Sequence, residues 1–450
     1  VRKYDEMLKD YLEWYAETNE DDSYLFDNYF EGISEQELSI KKGLVWKQIL
    51  DKIYEKESGI YWFCKFILGD LTYAGYPNSI RFNSLWWDWA KLASKGDHIA
   101  IKCSRQHGKA QPYSSKIITP NGWTTMGKLS IGNKVFSETG EETIVTNIFE
   151  QGEQDVYKIT FTDGSTTECE LNHLWKVKNG GMGRNGKPLK WKTKSLKEII
   201  ETHGLNPKSD NAYRIPLTKP VEFKKRQHYI DPYTLGALIG DGGLSQGSCI
   251  MTSNDNEIIN TIHKNMPQLK ISNNEKFKYV LIDKRKNRKS KIITELKQLK
   301  LMGIKSSDKF IPNEYLYDSV ENRIELLRGL MDTDGGISDT CIMEYYSISK
   351  KLCKQVKELV QSLGGKARIN IKTGTYKGEI NKSYRVKIWI QDINPFKLKR
   401  KAKLFYNIKY KPVRIFKKIE LVRKEKCRCI MVDCDTHTYL TDDYIVTHNS

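Results

Sequence analysis

A chain of 450 residues is too long for one ordinary domain and predicts two to four. Its 39% apolar content suffices for packed cores, and the lack of any run of 18 or more apolar residues argues against a helical membrane span. Nine cysteines, sparse and odd in number, argue against a disulfide framework and for a reducing, cytoplasmic setting. No secretory pattern opens the chain, and its start at Val1 predicts trimming or an internal start.

The formal charge of +18 is unevenly placed. Residues 1–109 hold 15 Lys/Arg against 18 Asp/Glu, whereas residues 110–450 hold 59 against 38, so the whole positive excess lies in the second part. Stretches such as "KFKYVLIDKRKNRKSK" and "FKLKRKAKLFYNIKYK" suit phosphate backbones. A solvated charged face is the plainer reading; the charge step at one boundary favours nucleic acid.

Residues 1–109 read as mostly helical, with apolar groups at helical spacing in "DEMLKDYLEWYAE" and "SLWWDWAKLASK". "DHIAIKCSRQHGK" then reads as a buried strand, His98 to Lys102, entering a loop. In a phosphate-binding loop the lysine reaches the outer phosphates and the next residue supplies a magnesium-holding hydroxyl. Gly108 and Lys109 fit, but Ala110 has no hydroxyl. Joining Lys109 to the final Ser450 gives "CSRQHGKS", which resembles the ATPase loop of phage large terminase subunits over the first 109 residues. That resemblance implies ATP and magnesium at Gly108, Lys109 and Ser450 only once they are joined. It also implies packaging-motor partners and the cytoplasm of a phage-infected or prophage-bearing host. As the chain stands, no ATP hydrolysis is expected.

From Ala110 the pattern turns to strands. Turn signals stand at Pro120-Asn121-Gly122, Gly132-Asn133 and Asp163-Gly164, and at Thr441-Asp442-Asp443 near the end. Residues 110–220 and 406–449 thus read as one all-β unit split by a long middle section. Four ordered blocks, the opening "AQPYSSKIITPNGW", "NHLW", "CIMVD…THTY" and the final "THNS", resemble the intein (Hint, horseshoe-like) family.

The resemblance implies autocatalytic splicing without a cofactor, excising residues 110–449 and joining Lys109 to Ser450. The chemistry needs a nucleophile at the first insert position, a second at Ser450, and Asn449 to cyclise with help from His448. His173 should act at the upstream peptide bond, with Cys429 and His437 in support. Two positions depart from the family. Ala110 lacks a nucleophile, either through an engineered Cys→Ala change that freezes the precursor or because Ser450 attacks the upstream bond directly. Three residues before His173, where relatives commonly have Thr, stands Glu170. Cys427, Cys429 and Cys434 read as buried strand residues, with zinc as the lesser alternative.

The middle section, 221–405, contains "LGALIGDGGLS" (235–245) and "LLRGLMDTDGGIS" (326–338), apolar helices ending in acid and glycine. Their repetition reads as an internal duplication. Gly236, Ala237, Gly240 and Gly329 would let the two helices pack closely and set Asp241 beside Asp334. Paired carboxylates under a basic surface are what a two-metal nuclease needs. The section resembles LAGLIDADG homing endonucleases, which implies an α/β fold with pseudo-twofold symmetry and Mg2+ on Asp241 and Asp334. It implies Lys309 as a catalytic lysine and Lys387 as its weaker counterpart, with phosphate contact as the alternative for each. Asp332 reads as structural. The implied partner is double-stranded DNA of an uninterrupted terminase gene, with no membrane. Two other readings compete: a single ATPase tolerating Ala110, and a free-standing endonuclease. The first leaves the duplicated acid motifs and the terminal His-Asn-Ser unexplained, and the second does not explain why the flanks rejoin into Gly-Lys-Ser.

Overall fold

The computed structural model describes residues 110–180, 190–208, 212–245, 247–284, 290–376, 379–407 and 411–448. All lie in the second of two compact units, which begins at Arg105. The readings of residues 1–109, with Gly108 and Lys109, and those of Asn449 and Ser450 fall outside the described residues.

The first segment forms β1 (Gln111–Pro112), β2 (Lys116–Thr119), β3 (Gly122–Thr125), β4 (Lys134–Phe136), β5 (Glu142–Phe161), β6 (Thr166–Cys169), β7 (Leu174–Val177), β8 (Lys192–Ser195) and β9 (Arg214–Ile215). Pro120 and Asn121 alone connect β2 to β3, and Gly122 takes φ +98°, which only glycine adopts freely. The segment is not wholly β, as the sequence suggested. Helix α1 (Leu196–His203) begins at a capping box: Ser195 accepts from the Glu198 N–H, and Glu198 accepts from the Ser195 N–H. Leu196 and Ile199 bury its inner face.

The middle section repeats one pattern twice. Helix α2 (Pro232–Asp241) leads into β10 (Gly242–Gly243), β11 (Ile250–Thr252), α3 (Asn256–Asn265), β12 (Leu269–Glu275) and β13 (Lys278–Asp283). After α4 (Lys291–Gln298) and α5 (Asn313–Leu316), α6 (Val320–Asp334) leads into β14 (Gly335–Ile337), β15 (Met343–Ser347), α7 (Lys350–Ser362), β16 (Lys366–Tyr376) and β17 (Glu379–Trp389), before α8 (Lys399–Ala402). Both sheets are antiparallel with the same spatial order, β10-β11-β13-β12 and β14-β15-β17-β16. Each inner face, with Met251 and Leu281 in one sheet and Tyr345, Val386 and Ile388 in the other, joins a single core around α2 and α6.

Those two helices meet backbone to backbone. A Cβ on Gly236 would fall on the Leu326 carbonyl, one on Gly329 on the Tyr233 carbonyl, and one on Gly240 on the Thr333 hydroxyl. Caps fix where each helix starts: Asp231 accepts from the Thr234 N–H, with Pro232 at the first helical position, and Ser319 accepts from the Asn322 N–H.

The chain then rejoins the strands of the opening segment as β18 (Arg414–Val432), β19 (Thr438–Thr441) and β20 (Ile445–His448). β18 runs antiparallel to β5 from Phe416↔Phe161 to Val432↔Val145, with four register shifts that bend the ladder. β20, β19, β2 and β3 form a second sheet with cores on both sides. Ile117 and Tyr439 pack into one core with Val145 and Ile430; the adjacent Ile118 and Leu440 pack into the other with Phe136 and Val446. The β part and the middle section are bonded together: Glu358 on α7 accepts from Trp123 Nε1 at 2.7 Å, and Lys357 pairs with Asp443 at 2.8 Å.

Candidate functional site

The ends of the split β unit converge. β1 pairs with β18 through Gln111↔Arg428 and Pro112↔Cys427, and this register, continued by one residue, sets Cys429 opposite Ala110. Ala110 is wholly buried against Val156 and Cys427. Its carbonyl accepts from the Glu170 N–H at 3.0 Å, and the Glu170 carbonyl accepts from the His173 N–H at 3.2 Å. The turn after β6 therefore lays Glu170 against Ala110 and ties His173 to Glu170.

At the other end, Thr438↔His448 and Tyr439↔Thr447 register β20 on β19. His173 is fully buried; its Nε2 meets the Thr447 hydroxyl, and its ring stands edge-on to Trp175 at 5.4 Å. His437 adopts φ 49° in the turn before β19, with its ring 6.3 Å from that of His448. Gln111 bridges the junctions: it donates to Thr441 Oγ1 at 3.3 Å and accepts from the Tyr439 hydroxyl at 2.8 Å. The structure thus gathers Ala110, His173, Cys429, His437 and His448, with Thr447 and Gln111 as contacts the sequence did not single out. Cys427 and Cys429 are buried, and no cluster of three or more His, Cys, Asp or Glu suited to a metal occurs among the described residues.

The second centre lies where α2 and α6 end. Burial raises the Asp241 carboxyl, against the pull of the Lys309 and Lys401 charges. Burial, together with the Asp241 charge, pushes Asp334 up to about 6. Two buried hard carboxylates, one raising the proton affinity of the other, are a donor set suited to a divalent cation. Lys309 donates its Nζ to the carbonyls of Gly240 at 2.6 Å and Gly242 at 3.0 Å, satisfying the end of α2.

The structure corrects the counterpart of Lys309. Lys387 lies on the outer face of β17, opposite Arg368 and Glu344, away from the helix ends. Neighbouring Val386 and Ile388 fill the core, so strand alternation directs Lys387 outward. The mirror position belongs to Lys401 on α8, whose buried Nζ donates to the carbonyls of Met331 at 3.0 Å, Asp332 at 2.6 Å and Gly335 at 2.6 Å. Asp332 holds this arrangement: its carboxylate accepts from the N–H groups of Lys397 and Leu398, both at 3.1 Å, and from Tyr233 at 2.9 Å.

Residues 321–393 match the LAGLIDADG-like domain family. The chain is 26% identical over 364 residues to a replicative DNA helicase DnaB of Mycobacterium intracellulare, covering 76% of this chain and 59% of that protein. Among solved structures, it is similar to the Msm DnaB1 intein splicing domain bound with zinc (10% identity, 76% of this chain and all of that one, TM-score 0.23). It is also similar to mesophilic variants of the homing endonuclease I-DmoI (15% identity, 40% of this chain and 97% of that one, TM-score 0.26). Among the described residues no helix is long and apolar enough to cross a membrane.

Proposed function

We propose that this chain is a protein-splicing precursor carrying a DNA endonuclease. Residues 110–449 are the self-excising element, and residues 221–405 within it are the nuclease. The observation that carries the reading is the bond between His173, tied through Glu170 to Ala110, and Thr447, two positions before Asn449. It supports a fold that holds both junctions together, an entropy trap in place of a cofactor.

In splicing, His173 polarises the upstream peptide bond, the Ser450 hydroxyl takes over the acyl group, and Asn449 cyclises while His448 donates to its carbonyl. Cys429 and His437 support the two ends. Ala110 removes the first nucleophile and blocks the sequence; the alternative is a naturally Ala-initiated element in which Ser450 attacks Lys109 directly.

In the nuclease, Asp241 and Asp334 would hold magnesium, which when bound activates water and stabilises the leaving oxygen. Lys309 and Lys401 neutralise charge beside them. The outer sheet faces, with Arg368, Arg385 and Lys387, lie on double-stranded DNA spanning the uninterrupted host gene. "CSRQHGKS" supports a terminase as host, with ATP, magnesium and packaging-motor partners for the joined product. A replicative helicase is the second reading of the host, favoured by the curated relative. The test is to change Ala110→Cys and follow the chain on a gel. Joined flanks and a free insert support the proposal, provided that Asn449→Ala in the same background prevents their release; an intact chain opposes it.

A further inference from the structure

Glu170 lies against the bond that splicing must break. It is 3% exposed, its own N–H donates to the Ala110 carbonyl at 3.0 Å, and Asn172 donates to its Oε2 through the backbone N–H at 2.8 Å and the side chain at 3.2 Å. Oε1 is buried, and among the described residues it has no partner at full hydrogen-bond geometry. The Ala110 N–H favours the charged form of the carboxyl. The backbone bond to Ala110 and the buried, open Oε1 set this acid beside Ala110.

Resting on the splicing reading above, we propose that Glu170 is the catalytic acid that protonates the Ala110 nitrogen as the Lys109–Ala110 bond breaks. An amide nitrogen leaves poorly unless it gains a proton. The attacking hydroxyl or thiol forms its bond to the Lys109 carbonyl carbon, and the C–N pair returns to nitrogen. Nitrogen takes the Glu170 proton, and the nucleophile's proton restores the carboxyl, directly or through water. Amide and alcohol or thiol become ester or thioester and amine, with no change of oxidation state.

The surroundings suit an acid at neutral pH. Burial pushes Glu170 up to about 7, against the N–H groups of Asn172 and Ala110 that favour its charge. The titratable groups facing it are thiols, Cys169 on β6 and Cys427 on β18, both raised by burial and by the Glu170 charge. His173 shares its turn, and Arg423 and Glu425 act on Cys427 from further along β18.

The test uses the full chain with Ala110→Cys and measures dithiothreitol-induced release of residues 1–109 between about pH 5.5 and 9. The expected profile has an alkaline limb falling through about 7. Adding Glu170→Gln should remove that limb and slow release roughly a hundredfold near neutral pH, while Glu170→Asp should keep the limb. An unchanged rate and profile in Glu170→Gln overturns the proposal. Asn449 cyclisation reports folding in each variant. If Glu170→Gln fails to cyclise, the Asp variant decides, and loss of its limb overturns the proposal. If the Ala110→Cys chain releases nothing at any pH, the splicing reading fails and the proposal falls with it.

Discussion

His173 and Thr447, 274 positions apart, are hydrogen-bonded in the buried centre of the β unit. One comes from the turn after β6 that touches Ala110, the other from the strand that ends at His448. The middle section lies between them in sequence, yet β18 pairs with β5 across it. Thr447→Val keeps the volume but removes the hydroxyl, so the imidazole loses one anchor. In the Ala110→Cys background the cost should be about 1–3 kcal/mol, seen as release of residues 1–109 slowed about fivefold or more. Thr447→Ser should recover most of it.

The α2–α6 contact should tolerate no side chain at its crossing. Gly236→Ala or Gly329→Ala places a methyl on a backbone carbonyl of the facing helix. Each should cost about 3 kcal/mol or more and abolish DNA cleavage, because separating the helices separates Asp241 from Asp334. Thermal unfolding and a plasmid-cleavage assay check both effects.

Asp334 makes a signed prediction about pH. Its folded pKa, about 6, lies above its ordinary value of 3.8. The folded chain therefore binds more protons than the unfolded one between these values, and stability falls as pH rises through that window. Asp334→Asn lacks this term, so in metal-free buffer it should be more stable than the parent at pH 7, with the gap closing near pH 4. Magnesium should raise the parent's unfolding temperature more than the variant's, and the variant should not cut DNA. A variant that cuts as well as the parent would remove Asp334 from the site.

Lys401 and Lys387 should separate cleanly. Lys401→Met leaves the carbonyls of Met331, Asp332 and Gly335 without their donor, so it should destabilise the chain by about 2 kcal/mol or more and stop cleavage. Lys387→Met should leave the catalytic rate intact, weaken DNA binding and lower the salt slope by about one.

These residues also show what a sequence makes legible. The Pro120-Asn121-Gly122 turn and the repeated Gly-and-Asp helices were readable because their cause is local, a backbone angle or a close crossing. Lys401 was not, because it sits in a basic run that reads as a phosphate-binding face. Its partner carbonyls lie up to 70 positions earlier, on α6 and at the start of β14. Helix α1 was lost among strands although Ser195 and Glu198 spell its cap. Glu170 was visible only as a departure from pattern; its burial against Ala110 depends on β6, β1 and β18 meeting.

The most direct measurement is the intact mass of the chain after Ala110→Cys. The proposed function predicts two new species, one with the mass of residues 110–449 carrying a C-terminal succinimide and one with Lys109 joined to Ser450. A single species at the mass of the unbroken chain, from protein that unfolds cooperatively, would contradict it.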